Sequence, residues 1–172
     1  MTQVKLDFDP MHELLNFLAR TPAVLAGFAS GLSDAELRWG SSADRFSILE
    51  NICHLRDLEL QGYAKRIERI LNENEPELPD FDGARVAAEG NYNAEYVSTA
   101  LEVFRVARNA NLEKLKAAVG EGLSRTGSLE GVGQITLPRL AEMMREHDEG
   151  HLEDLRVLRQ QLERHRSSAT PP

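Results

Sequence analysis

Two histidines, His147 and His151, lie four residues apart in the acidic stretch Glu146–Asp154, which reads EHDEGHLED. On a helix this spacing puts both side chains on one face, with their Cβ atoms about 5–6 Å apart. Two neutral imidazoles at that distance can bind one metal ion. They can equally be two buried neutral rings that each hydrogen-bond to a neighbour, and the spacing alone leaves both interpretations open.

The helical periodicity of the surrounding segment predicts which way the pair points. At 100° per residue, His151 lies about 40° from His147, and both fall within an apolar stripe. This stripe consists of Leu140, Met144, Leu155, Leu158 and Leu162. The opposite face carries Glu149, Glu153, Arg156 and Gln160. Both histidines are therefore expected to face the core, where each unpaired polar group costs about 1–3 kcal/mol and one metal ion would satisfy both rings.

A third histidine whose ring reaches the same place as His147 and His151 would favour a metal site over two buried neutral rings. His54, in the segment ENICHLRDLE, is the candidate, although it lies at the margin of the apolar face of its own helix. A margin position can face a cleft between helices, which a substrate-accessible metal requires.

The H-x-x-x-H frame also matches zincin proteases, but Asp148 replaces their general-base glutamate and Gly150 adds a helix-weakening residue. A zincin protease is therefore not expected.

Four long segments with helical periodicity position these residues, and no segment convincingly indicates a sheet. Their predicted limits are Asp9 to Gly31, Ser47 to the 72–75 region, Asn93 to Val119, and Thr136 to about Arg164. Proline after Asp9 and the Ser47–Glu50 capping box are typical helix starts. Pro22 is expected to kink the first helix.

These segments predict an all-α fold, a four-helix bundle with a long crossover between helices two and three. The crossover, ENEPELPDFDGARVAAEGN, contains two prolines and two glycines. A glycine-rich segment before the last helix, GEGLSRTGSLEGVGQIT, weakly indicates a hairpin. Residues 1–165 are expected to form one domain, followed by a disordered tail at 166–172.

Composition narrows the classes of function. The chain has 172 residues and a net charge of −8, which argues against nucleic acid as a partner because such binding depends on basic residues. No apolar run is long enough for a membrane span and no signal peptide is evident, so a cytoplasmic protein is expected. The single cysteine, Cys53, excludes a disulfide framework and is interpreted as a core thiol.

The segments RFSILENICHLRDLE and HDEGHLEDL resemble the motifs of the DinB-like family of four-helix-bundle proteins. That family has one histidine in an HL-x-D-x-E context on the second helix and an H-x-x-x-H pair on the fourth. These positions correspond to His54, His147 and His151. The likeness extends over nearly the whole chain, through LSDAELRW, EPELPDFD and ITLPRL. The family usually has tryptophan where this chain has Phe46, a change that conserves packing.

The resemblance implies a three-histidine site for a divalent metal, commonly zinc or nickel, and frequent homodimers. It also implies small-molecule substrates and reactions with low-molecular-weight thiols such as bacillithiol or mycothiol, as in mycothiol-dependent maleylpyruvate isomerase.

Asp57, Glu50 and Asp154 are candidates to accept hydrogen bonds from the N–H groups of the ligand histidines, although each can equally be a surface charge. Asp154 is the best placed, about 20° from His147 on the wheel.

Three classes of function follow from these observations. The first is a metal-dependent enzyme, a thiol-dependent S-transferase or a hydrolase, whose general base is not identified. The second is a noncatalytic metal-binding bundle of the stress-response type. The third is a bundle whose histidines bind nothing and whose role is protein association.

Overall fold

The computed structural model describes residues 9–40, 45–118 and 120–169. Its helices are α1 (Pro10–Ala29), α2 (Asp34–Leu37), α3 (Ile48–Asp57), α4 (Ala64–Asn72), α5 (Gly83–Gly90), α6 (Val97–Ala117) and α7 (Leu137–Ala169). Its strands are β1 (Glu77–Leu78), β2 (Thr126–Leu129) and β3 (Gly133–Thr136). A π-helical turn at Leu58–Tyr63 joins α3 to α4, and 3₁₀ turns lie at Tyr92–Ala94 and Gly120–Ser124.

The predicted four-helix bundle is confirmed. Its members are α1, the continuous helix formed by α3, the π turn and α4, then α6 and α7. Helix α1 packs against α6 and α7, and α3 packs against α6. The predicted starts are also present: Asp9 accepts a hydrogen bond from the backbone N–H of Met11, and Ser47 with Glu50 forms a capping box.

The core consists of two apolar clusters. One lies toward the sheet and includes Leu14, Leu18, Ile67, Ile70, Leu112, Leu140 and Met144. The other lies toward the start of α3 and includes Leu25, Ile48, Ile52, Leu55, Phe104, Leu155 and Leu158. Each bundle helix carries buried polar residues near the point where its contributions to the two clusters meet, and together they form what we call the polar layer: Thr21, Glu59, Arg108, Asn111 and Asp148.

The structure also contains a small sheet, which no segment of the sequence convincingly indicated. Strand β1 pairs in parallel with β2, and β2 pairs antiparallel with β3, which confirms the weakly indicated hairpin. The strands have only two to four residues, too few for a period-two pattern to stand out, and β1 meets a partner about fifty residues away. Leu78 of β1 is buried in the core, so the sheet packs the long crossover against the bundle.

Helix boundaries differ from the predictions in three places. The π turn interrupts the second predicted helix, and α6 begins at Val97 because the preceding residues form a 3₁₀ turn. Helix α7 includes residues 166–169, which were predicted to belong to a disordered tail. Val119 and residues 170–172 lie outside the described part of the chain.

None of the described helices is long and apolar enough to cross a membrane.

Two glycine-to-alanine changes test how tightly the sheet is packed on the bundle. A Cβ at Gly127 would lie 2.9 Å from Leu78 Cδ1 and 3.1 Å from Ile70 Cγ1, whereas a Cβ at Gly150 in α7 meets nothing within 4 Å. We expect Gly127→Ala to lower the free energy of unfolding by about 1–3 kcal/mol through overpacking. We expect Gly150→Ala to raise it by about 0.5–1 kcal/mol. Urea unfolding measures both, and a neutral or stabilising Gly127→Ala would contradict the packing.

Candidate metal centre

Three histidines from two helices converge near the middle of the bundle. His54 comes from α3, and His147 and His151 come from consecutive turns of α7. One ring nitrogen from each lies within 4.8 Å of the others. The ring centroids are 4.5 Å apart for His147 and His151, 4.9 Å for His54 and His151, and 5.4 Å for His54 and His147. The structure therefore brings together all three histidines selected from the sequence.

The donor set fits a divalent ion. Two nitrogens that bind one zinc ion at about 2.0–2.1 Å are at most about 4.2 Å apart, so small ring rotations close the observed spread. Nδ1 of His54 and Nδ1 of His147 are buried and have no hydrogen-bond partner among the described residues. Buried polar atoms without partners are costly, and a cluster of uncommitted ring nitrogens is what a metal ion would satisfy.

The rings are held in the protonation state that binds metals. Burial lowers the pKa of His54 to about 4 and that of His147 to about 3, and the neighbouring His151 contributes to both shifts. Burial also lowers the pKa of His151, against the opposing effect of Asp154 and Asp148. All three imidazoles are therefore neutral near pH 7, the form in which histidine is a ligand.

Asn51 orients His151, a role that sequence reasoning did not assign to it. Its Nδ2 donates to the backbone carbonyls of Phe46 (3.2 Å) and Ser47 (2.9 Å), which fixes the orientation of the amide. Oδ1 therefore faces Nδ1 of His151 at 2.7 Å and accepts a hydrogen bond from it. This contact places the proton on Nδ1 and leaves Nε2 of His151 free to bind an ion.

The three acidic candidates make other contacts. Glu50 accepts hydrogen bonds from the backbone of Ser47 and from Asn93. Asp57 accepts from the Tyr92 hydroxyl (2.9 Å) and from Arg56 (2.8 Å). Asp154 is exposed and lines a cavity beside His151. Within the described residues, none of the three is hydrogen-bonded to His54, His147 or His151.

Cys53 is next to His54 in sequence but belongs to the apolar core, as predicted. Burial raises the pKa of its thiol to about 12. The thiol is therefore protonated at neutral pH and acts as a packing group.

Beside the histidines, Arg108 of α6 forms the centre of the polar layer. Its guanidinium donates to both carboxylate oxygens of Asp148 (2.7 and 3.1 Å) and to Glu59 (2.9 Å). Burial opposes the charge on Arg108, but Glu59 and Asp148 outweigh it and raise the pKa of the guanidinium. Burial raises the pKa of Glu59 despite the attraction of Arg108.

The remaining members of the polar layer complete its connections. Thr21 of α1 donates to Asp148 (2.8 Å), and Asn111 of α6 donates to Glu59 (2.7 Å). Asp148 directly follows His147, so contacts from α1 and α6 fix α7 at the position of the metal candidate. Sequence reasoning missed this layer. One feature of the sequence indicates the layer. The charged residue Arg108 lies four residues from both Phe104 and Leu112, and therefore on the apolar face of its helix.

The crossover covers the His54 side of the cluster. The Phe81 ring lies 6.2 Å from the His54 ring, and the Phe46 ring lies 5.5 Å from it on the α3 side. Gly83, the first residue of α5, approaches so closely that a Cβ there would lie 2.7 Å from Cε1 of His54. On the His151 side, a cavity of about 330 Å³ is lined by Arg45, Phe46, Asn51, His151, Asp154 and Leu158.

Comparisons with known proteins identify the family and the fold. The family model described as the DinB superfamily matches residues 18–155. The fold is similar to that of YfiT from Bacillus subtilis, described as a probable metal-dependent hydrolase with an unusual four-helix bundle topology. The two share 15% identity with a TM-score of 0.81, over 94% of this chain and 93% of YfiT. No curated protein sequence matches the chain significantly.

The contact between Gly83 and His54 gives a direct test of the site. Gly83→Ala must displace the His54 ring, and we expect about a tenfold or greater loss of zinc affinity, as is typical for changes next to metal ligands. Gly90→Ala at the other end of α5 is the matched control, because its Cβ would lie 2.7 Å from Tyr92 Cε1 instead. Calorimetric zinc titrations measure both variants. Unchanged affinity in Gly83→Ala, or an equal loss in Gly90→Ala, would contradict the assignment.

Proposed function

The chain belongs to the DinB superfamily, and from this premise we propose that it is a divalent-metal-dependent enzyme with His54, His147 and His151 as ligands. The observation that carries the proposal is the convergence of three neutral imidazoles, with one nitrogen of each within 4.8 Å of the others. Imidazole nitrogen suits zinc and nickel, which are the metals we propose.

A three-histidine set supports a catalytic role better than a structural one. Structural zinc sites are closed by four protein ligands, whereas catalytic sites have three and keep a position open. A divalent ion bound there supplies a Lewis acid that lowers the pKa of water or of a thiol. The cavity beside His151 gives a small molecule access to this side of the cluster.

The surrounding residues have separate tasks in this proposal. Asn51 holds the tautomer of His151, and Phe46 and Phe81 limit the access of water to His54. The description of YfiT as a probable metal-dependent hydrolase supports hydrolysis as one reaction class. The resemblance to thiol-using relatives supports S-transfer as the other. A homodimer also remains a prediction.

Metal content and thermal stability test the proposal together. Protein purified without a histidine tag and reconstituted with zinc is expected to hold about one ion per chain, and His54→Ala and His147→Ala are expected to lose it. Zinc should raise the melting temperature of the unmodified protein, because ligand binding stabilises the native state, and should not raise that of either variant. Elemental analysis and thermal scans measure these outcomes.

His165→Ala is the matched control, because His165 stacks on Trp39 (ring centroids 5.7 Å apart), away from the cluster. It is expected to keep both the metal and the zinc-dependent stabilisation. If the unmodified protein took up no metal after reconstitution, the enzyme proposal would fail. Metal without any binding of thiols or turnover of hydrolysable substrates would favour the noncatalytic metal-binding alternative.

A further inference from the structure

A second cavity, of about 270 Å³, lies between α4 and the crossover. Helix α4 contributes Lys65 and Arg66 to its lining, and the crossover contributes Phe81 and Val86. Among the described residues that line it, none is a proposed metal ligand. The cavity is therefore distinct from the histidine cluster, although the Phe81 ring is next to both.

Arg66 is a buried cation whose charge the protein compensates only in part. Its side chain is 7% exposed. Nη2 donates to the carbonyl oxygen of Pro79 (3.1 Å) and lies 3.5 Å from Oδ1 of Asp80, a carboxylate that is itself 75% exposed. Nε is buried without a hydrogen-bond partner, and within the described residues Nη1 makes no hydrogen bond either. The guanidinium carbon lies 5.9 Å from the centre of the Tyr63 ring, near the outer limit of a cation–π contact.

Arg108 shows how the same fold compensates a buried guanidinium fully. It donates three hydrogen bonds to the carboxylates of Asp148 and Glu59, both of which are buried. An ion removed from water is costly unless close partners of opposite charge replace its hydration, and native proteins leave few buried polar atoms without a partner. Arg66 has no buried carboxylate of this kind. An anion in the cavity that Arg66 lines would supply the missing acceptors.

Lys65 adds a second positive charge to the same cavity. It is exposed, and within the described residues its ammonium group forms no ion pair or hydrogen bond. The two other basic residues of the lining differ, because Arg69 pairs with Glu73 and Arg85 pairs with Glu89. Lys65 and Arg66 are therefore the two cations that remain for a ligand.

The acids of the lining have other tasks, and the crossover adds an apolar surface. Asp82 caps α5 by accepting a hydrogen bond from the backbone N–H of Arg85, and Asp80 accepts one from the backbone N–H of Phe81. Phe81 and Val86 are half-buried and line the cavity. A small ligand with an anionic group and a short apolar part would find partners for both.

We propose that this cavity binds a small organic phosphate monoester, whose phosphate group contacts Arg66 and Lys65 and whose carbon part packs against Phe81 and Val86. A phosphate monoester carries nearly two negative charges above pH 7 and has three strong acceptor oxygens, whereas a carboxylate carries one charge. Arginine and lysine are the side chains that commonly bind phosphate. Binding at this cavity does not depend on the metal, so its failure would leave the proposed function standing.

Three probes separate the contributions of charge and apolar contact. The full-length protein is titrated at pH 8 in a calorimeter with phenyl phosphate, benzoate and inorganic phosphate. Each titration is repeated on zinc-loaded and on chelator-treated protein, because zinc itself binds oxyanions. We expect one phenyl phosphate per chain in both forms, bound about tenfold more tightly than benzoate, which has the ring but one charge less. Inorganic phosphate, which lacks the ring, should also bind more weakly than phenyl phosphate.

Variants and amide chemical shifts assign the binding to the cavity. We expect Lys65→Gln to weaken phenyl phosphate binding about fivefold and Arg66→Gln to weaken it about tenfold. The control is Lys114→Gln, which changes an exposed lysine of α6 outside the lining and should have no effect. In ¹H–¹⁵N spectra, phenyl phosphate should shift the amide signals of Gly62 and Val86, which both line the cavity.

Four outcomes would overturn the inference. They are no saturable binding of phenyl phosphate, binding confined to the zinc-loaded protein, an affinity no higher than that of benzoate, and equal affinities in Lys65→Gln and the unmodified protein. Because Lys65 is exposed, Lys65→Gln is expected to fold normally, and it decides the test even if Arg66→Gln does not fold.

Discussion

The arrangement of the bundle depends on one buried cation, the guanidinium of Arg108, whose residue is only 1% exposed. An ion removed from water costs several kcal/mol unless close partners compensate it. Asp148 and Glu59 provide that compensation, and they reach Arg108 from two other helices. The helices can therefore pack only in a register that brings these groups together. Since Asp148 adjoins His147 in sequence, the same register determines where the histidine cluster lies.

Each histidine is positioned in a different way. Asn51 fixes His151 through a hydrogen bond, the crossover confines His54 by close packing, and the polar layer holds the backbone beside His147. All three rings thus keep an uncommitted nitrogen while their positions remain restricted. This combination suits a site that must bind an ion and still leave room for a substrate. The cavity lined by Arg45 and Asp154 extends the site on the side of His151, which is half-buried.

The sequence predicted what local patterns specify. Caps and the 3.6-residue periodicity gave the four long helices, and the apolar stripe of α7 showed that His147 and His151 face inward. His54 depended on the family resemblance, because its wheel position was marginal. The sheet escaped prediction because β1 and β2 are short and far apart in sequence. The π turn and the partners of Arg108 depend on contacts between helices, and periodicity within one helix does not contain them.

The central claim is that one divalent ion is bound by three imidazoles and leaves a position open. X-ray absorption at the zinc edge of the zinc-loaded, untagged protein tests this claim most directly. We expect three imidazole nitrogens at about 2.0–2.1 Å together with one oxygen from solvent, and no sulfur. A sulfur scatterer at about 2.3 Å, which would implicate Cys53, or fewer than three imidazoles would contradict it.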